Sequence, residues 1–175
     1  MACHSMGRST PSCSTTLATV INVRRAGNSD LAELIRLYRL LEAEMGELHE
    51  MWPIADGVDE PVAASLATRL ASEHHHIYLG CIDDVPLGFL AARLGSLLPQ
   101  AGAEQVGIID LIFTEPEARD VGIAEAMLDV ALEELSAQGA QRFDAPVLPG
   151  HRRAKNFFER SGFSARSITM HRRKR

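Results

Sequence analysis

The sequence predicts an α/β domain of the α+β type, with a mixed central sheet of about six or seven strands flanked by about four helices. Three observations predict it. Gly107-Ile108-Ile109-Asp110-Leu111-Ile112-Phe113 is an almost continuous apolar run, the pattern of a central strand covered on both faces. Two other stretches carry apolar residues at helical period: Leu31, Leu34, Ile35, Tyr38, Leu41 and Met45 in one, Ala124, Met127, Leu128, Ala131, Leu132 and Leu135 in the other. Two strand-like runs, His76 to Asp83 and Leu87 to Leu94, flank a turn rich in carboxylates and proline and read as a hairpin.

Taken in order, residues 1–18 are rich in Ser, Thr, Gly and Pro, lack a hydrophobic period, and are expected to be a disordered leader to a single domain over residues 19–175. Val20 to Val23 reads as the first strand. Asp30 and Glu33 form a variant capping box that starts the first helix, and Gly46 is its expected stop. Residues 47 to 60, with Trp52-Pro53 and Asp56-Gly57, read as an irregular connection. Pro61 opens a second helix that runs to about Glu73, since a residue without an N–H fits the first turn. After the hairpin and the central strand, a helix spans Gly122 to Gln138 and ends at Gly139. A strand is expected near Phe143 to Leu148, a helix from His151 to Ser161 closed by Gly162, and a last strand from Ser164 to His171.

The composition sets limits on function. The chain has 175 residues, 46% of them hydrophobic and 23% charged, the balance of one water-soluble globular domain large enough to need no disulfide or metal staple. Cys3, Cys13 and Cys81 form an odd set without ligand spacing, which suits a reducing compartment, and the expected location is the cytoplasm. No run approaches the roughly 18 apolar residues of a membrane span. A formal net charge of -5 speaks against a general nucleic-acid binder, although Arg172 to Arg175 are all basic. His74-His75-His76 has no flanking carboxylate or cysteine at ligand spacing, so it reads as a polar loop and no metal is expected.

The chemistry concentrates where the central strand runs into Thr114-Glu115-Pro116-Glu117-Ala118 and then Arg119-Asp120-Val121-Gly122-Ile123-Ala124. Gly122 lets the backbone turn tightly and lets a ligand approach it. The first-turn N–H groups of the following helix point outward as donors, and Arg119 adds a permanent charge. A phosphate fits such a terminus.

The order of elements over roughly residues 20 to 171, together with three local patterns, resembles the GNAT superfamily of N-acetyltransferases. Arg119, Gly122 and Ala124 match its pyrophosphate signature Gln/Arg-x-x-Gly-x-Gly/Ala; Asp110 to Pro116 compares with its central strand and turn; His151 to Phe158 and Gly162-Phe163 compare with its late signature. The resemblance implies acetyl-CoA as co-substrate. Its pyrophosphate would lie at Arg119, Asp120, Val121, Gly122, Ile123 and Ala124, and its pantetheine arm beside Ile112, Phe113 and Thr114, with His151 and Phe158 also in contact. It implies as well that the fourth and fifth strands splay apart to admit the pantetheine. The acceptor is then a primary amine of unknown identity that attacks the thioester directly, with a strand N–H stabilising the oxyanion. Homodimers are common in the family, but no apolar surface that would carry one is identifiable here.

An alkylammonium has a pKa near 10, so a group must take its proton. Asp110 stands where several family members carry a glutamate proposed as base, and a carboxylate in an apolar strand is expected to be harder to ionise; the other reading is a structural carboxylate. His151 replaces a frequent asparagine and reads as an acid, a polar contact to the cofactor, or a helix cap. Phe158 replaces the tyrosine that many members use to protonate the departing thiolate. Free thiols have a pKa near 8.5, so the thiolate can leave unaided. Arg152, Arg153 and Lys155 are candidates for the adenosine 3′-phosphate, and His49, Glu50, Met51 and Trp52 for the acceptor pocket. Phe158 also motivates the alternative, a CoA-binding regulatory module without effective catalysis; a third reading, acylation of charged tRNA, draws on the basic tail alone.

Overall fold

Apolar runs and helical stripes assemble into nine principal elements in a computed structural model that describes residues 20–48, 57–172 and 174. They are β1 (Ile21–Arg25), α1 (Leu31–Leu48), α2 (Val62–Ala71), β2 (His75–Ile82), β3 (Val85–Ser96), β4 (Gln105–Thr114), α3 (Ile123–Ala137), β5 (Ala140–Asp144) and α4 (Arg152–Arg160). The expected leader, and His49 to Trp52 of the expected acceptor pocket, lie outside the described residues. One sheet of order β1-β2-β3-β4-β5 results. Its first four strands are antiparallel, and β5 joins β4 in parallel through the crossover helix α3. No helix among the described residues is long and apolar enough to cross a membrane.

The expected α+β type holds, but the described residues contain five strands rather than six or seven. The last expected strand, Ser164 to His171, does not form. Its alternating apolar residues find no surface to cover, for Ile168 is 78% and Met170 88% exposed, and the segment is tied back by the ion pair of Arg166 with Asp144. The fifth strand starts directly after Gly139 (φ +104°) and stops at Asp144, ahead of Pro146 and Pro149, which have no N–H for a ladder. Helix α1 continues through Gly46, where a side chain would meet nothing within 4 Å and nothing forces a stop. His75 and His76 open β2 instead of forming a loop, with His76 buried.

Both sheet faces are covered. On one, Leu34, Leu37, Tyr38, Leu41 and Met45 of α1 and Leu66 of α2 pack on Leu79, Phe89, Leu111 and Phe113. On the other, Met127, Leu128 and Leu135 of α3 and Phe157 of α4 pack on Tyr78, Leu90 and Ile109. Ile109 and Leu111 are two apart on one strand, yet they lie in opposite cores. Strict alternation would put them on the same face. The ladder with β3 pairs Ala91 with Leu111 and Ala92 with Ile109, so Asp110 is an extra residue that reverses the alternation. Two glycines let α3 lie close to the sheet. A Cβ on Gly80 would stand 2.4 Å from Ile123 Cγ2, and one on Gly88 would be 2.7 Å from the Phe113 carbonyl and 3.1 Å from Met127 Cε. The start of α3 is thereby held over the sheet beside the end of β4.

Candidate cofactor cleft

β4 has strand partners on both edges over its first half only. β3 runs along it from Gln105 to Thr114, whereas β5 pairs with Gln105 to Ile108 and leaves at Asp144. From Ile109 to Thr114 the second edge has no strand partner among the described residues. Its outward N–H and C=O groups require partners from elsewhere.

Beyond Thr114 the chain makes a short 3-10 turn over Pro116–Ala118 and enters α3 through two residues with positive φ, Asp120 (+62°) and Gly122 (+97°). Gly122 precedes the helix, and no side chain caps it. The first-turn N–H groups, without carbonyls one turn back, are therefore open to an anion. Arg119 stands beside them. Its Nε donates to the Thr114 carbonyl at 2.9 Å, its Nη2 donates to the Glu44 carboxylate, and its guanidinium carbon lies 5.7 Å from the centre of the Phe113 ring.

A cleft joins these features. Ile112, Phe113 and Thr114 form its floor, and Ala118, Arg119, Asp120, Ile123 and Ala124 one wall. His151, just before α4, and Ala154 and Phe157 of α4 line it as well, as do Leu41 and Glu44 of α1. Arg153 and Arg160, with Asp120, Asn156 and Glu159, continue it into a wider outer recess. Burial pushes the His151 imidazole below its ordinary range; the Glu44 charge opposes that shift, and Arg119 and Arg153 add to it. Burial thus favours the neutral imidazole, the form with a ring nitrogen able to accept a proton.

Nine residues singled out from the sequence as site candidates line this one cleft: Ile112, Phe113, Thr114, Arg119, Asp120, Ile123, Ala124, His151 and Arg153. Gly122 makes the turn, and Val121 is exposed at its tip. Phe158 lies in the core, edge-on to Phe157 at 5.1 Å and Phe163 at 5.2 Å, while Phe157 faces the cleft. Asp110 does not line it. Its carboxylate accepts from Arg93 Nε at 3.2 Å, so it is not the lone carboxylate among apolar neighbours that its strand suggests. Glu44, Glu125 and Arg160 escaped the sequence reading, and Leu41 and Phe157 entered it only as a stripe residue and as part of the late signature. A signal for Glu44 existed: it stands seven residues after Leu37 and three after Leu41, a carboxylate at the period of the buried stripe. Phe157 and Arg160 likewise share one helical face with Arg153, which the sequence had already offered for a phosphate.

The sequence profile of the acetyltransferase (GNAT) family matches residues 34–163, more than half of the chain. This chain belongs to the GNAT acetyltransferase family. Curated proteins yield no match. Among solved structures, the GNAT chain is similar to an aminoglycoside N-acetyltransferase, AAC(6')-Iy, in complex with CoA, at 17% identity and a TM-score of 0.71 over 91% of this chain and 98% of that one. It is also similar to the BH1408 protein of Bacillus halodurans, at 18% identity and a TM-score of 0.76 over 87% and 99%. An aminoglycoside acetyltransferase from an uncultured soil metagenomic sample, in complex with sisomicin, matches at 15% identity and a TM-score of 0.67 over 89% and 95%. At such identities the likeness is one of fold. Family membership itself implies an acyl-CoA co-substrate, and the residues of the cleft fit one. The open edge of β4 offers bonds to amides, and the start of α3, with Arg119, Arg153 and Arg160 around the cleft, suits phosphates. Among the described residues, no group of three or more His, Cys, Asp or Glu side chains is arranged to hold a metal ion.

Proposed function

We propose that this GNAT chain transfers an acetyl group from acetyl-CoA to a primary amine by direct attack within a ternary complex. The observation that carries the reading is the half-open edge of β4, which ends at a helix N-terminus flanked by Arg119. The co-substrate supplies an activated thioester; the rest of the work belongs to the chain. The edge from Ile109 to Thr114 binds the pantetheine amides as a sheet binds an added strand. Gly122 to Ala124 and Arg119 hold the pyrophosphate, and Arg153 and Arg160 reach the outer phosphate. An N–H on the open edge donates to the carbonyl oxygen as charge develops there.

His151 takes the proton of the attacking amine, because it lies in the cleft and burial favours its neutral form. Asp110, held by Arg93 at the bulge, shapes the strand where the open edge begins. Its carboxylate is the second candidate for the proton, on the grounds of its place in the strand. The protein acts in the cytoplasm. Aminoglycosides belong among the acceptors to test, since two structural neighbours acetylate them.

The test is CoA release from acetyl-CoA against aminoglycosides, small primary amines, peptides with free N-termini and lysine peptides. Turnover above the rate without acceptor supports the reading. Tight acetyl-CoA binding without turnover on any of the four classes sinks it in favour of a CoA-binding regulatory module.

A further inference from the structure

Arg119, the residue best placed for a cofactor phosphate, is already engaged. Nε bonds the Thr114 carbonyl, and Nη2 is paired with Glu44, which comes from α1, 75 residues away in sequence. Both side chains are partly buried, at 17% exposure for Arg119 and 29% for Glu44, so water screens the pair less than at an open surface. A phosphate at the start of α3 therefore meets a guanidinium whose charge is partly offset by a carboxylate. It also meets a carboxylate within the same cleft. Carboxylate and phosphate oxygens compete for the same fork of N–H groups, and two anions cannot share it without repulsion.

We propose that Glu44 is a latch on the cofactor cleft, paired with Arg119 and giving it up to the pyrophosphate, so that Glu44 sets the affinity for the cofactor. The inference rests on the CoA reading above and adds a residue that opposes binding. The exchange is local. The Nε bond to Thr114 keeps the guanidinium at the start of α3 while Nη2 changes partner. Arg153 and Arg160 line the same cleft and form no ion pair among the described residues, which leaves cations to draw the phosphate in before the exchange.

Calorimetric titration of the full chain with CoA tests this in four forms: wild type, Glu44→Gln, Arg119→Gln and the double variant. Glu44→Gln is expected to bind CoA about tenfold more tightly than wild type. In the Arg119→Gln background the same change is expected to make no difference, because no latch is left to open. Equal or weaker binding by Glu44→Gln overturns the latch and leaves the cofactor reading standing. A gain that persists without Arg119 also overturns it, since the carboxylate then acts by general repulsion. If wild type does not bind CoA, the cofactor reading falls and the latch with it. Glu44→Ala, with thermal melts of every form, repeats the comparison should Glu44→Gln fold poorly.

Discussion

The two parts of β4 both carry apolar residues and have different fates. From Gln105 to Ile108 the strand is laddered on both edges, and a Cβ on Gly107 would stand 2.7 Å from the Phe143 ring and 3.1 Å from Leu135 Cδ1. From Ile109 to Thr114 it keeps β3 and loses β5. Asp110, the extra residue in the β3 ladder, sits at the change. Apolar residues fill both halves, so hydrophobicity does not separate scaffold from site. The missing neighbour does. Substitutions in the paired half should act on stability, and those facing the open half on binding and rate.

The largest effect is expected at the open half. His151→Gln should lower kcat/KM about 100-fold with little change in Tm. Because burial depresses the His151 pKa, the wild-type rate should hold at pH 7 and fall only as the pH drops below the ordinary imidazole value of about 6.5. A pH profile of the variant should lack that acid limb; one that keeps it points to another base.

In the paired half, Gly107→Val should cost about 1–3 kcal/mol of stability through overpacking. Urea unfolding measures the loss, and CoA affinity of the folded fraction should match wild type. A loss of affinity without loss of stability would erase the distinction between the halves.

The smallest effect is expected at the join. Asp110→Asn weakens a partly exposed pair with Arg93, worth less than about 1 kcal/mol after solvent screening, and kcat/KM should stay within about threefold. A drop near 100-fold would transfer the role of base from His151 to Asp110.

Much of this was legible in the sequence, for identifiable reasons. Helical stripes marked α1 and α3, a double-sided apolar run marked β4, and the glycine after Asp120 and Val121 marked the turn into α3. Each is a local pattern. The reversal at Asp110 was not legible, because a bulge depends on the register of the partner strand. Nor was the Glu44 contact with Arg119, which joins residues on elements far apart in the chain. Phe157 and Phe158 are adjacent aromatics on one helix, and only the packing of α4 decides which of them faces the cleft. Ser164 to His171 has the alternation of a strand without a surface for Ile168 and Met170 to bury, and alternation alone does not make a strand.

Amide hydrogen exchange, residue by residue, with and without CoA, tests the open half as a cofactor site most directly. The expected result is slower exchange at Ile109 to Thr114 and at Gly122 to Ala126 on binding, with no change from Gln105 to Ile108. Binding that leaves Ile109 to Thr114 unprotected, or protects both halves equally, would contradict it.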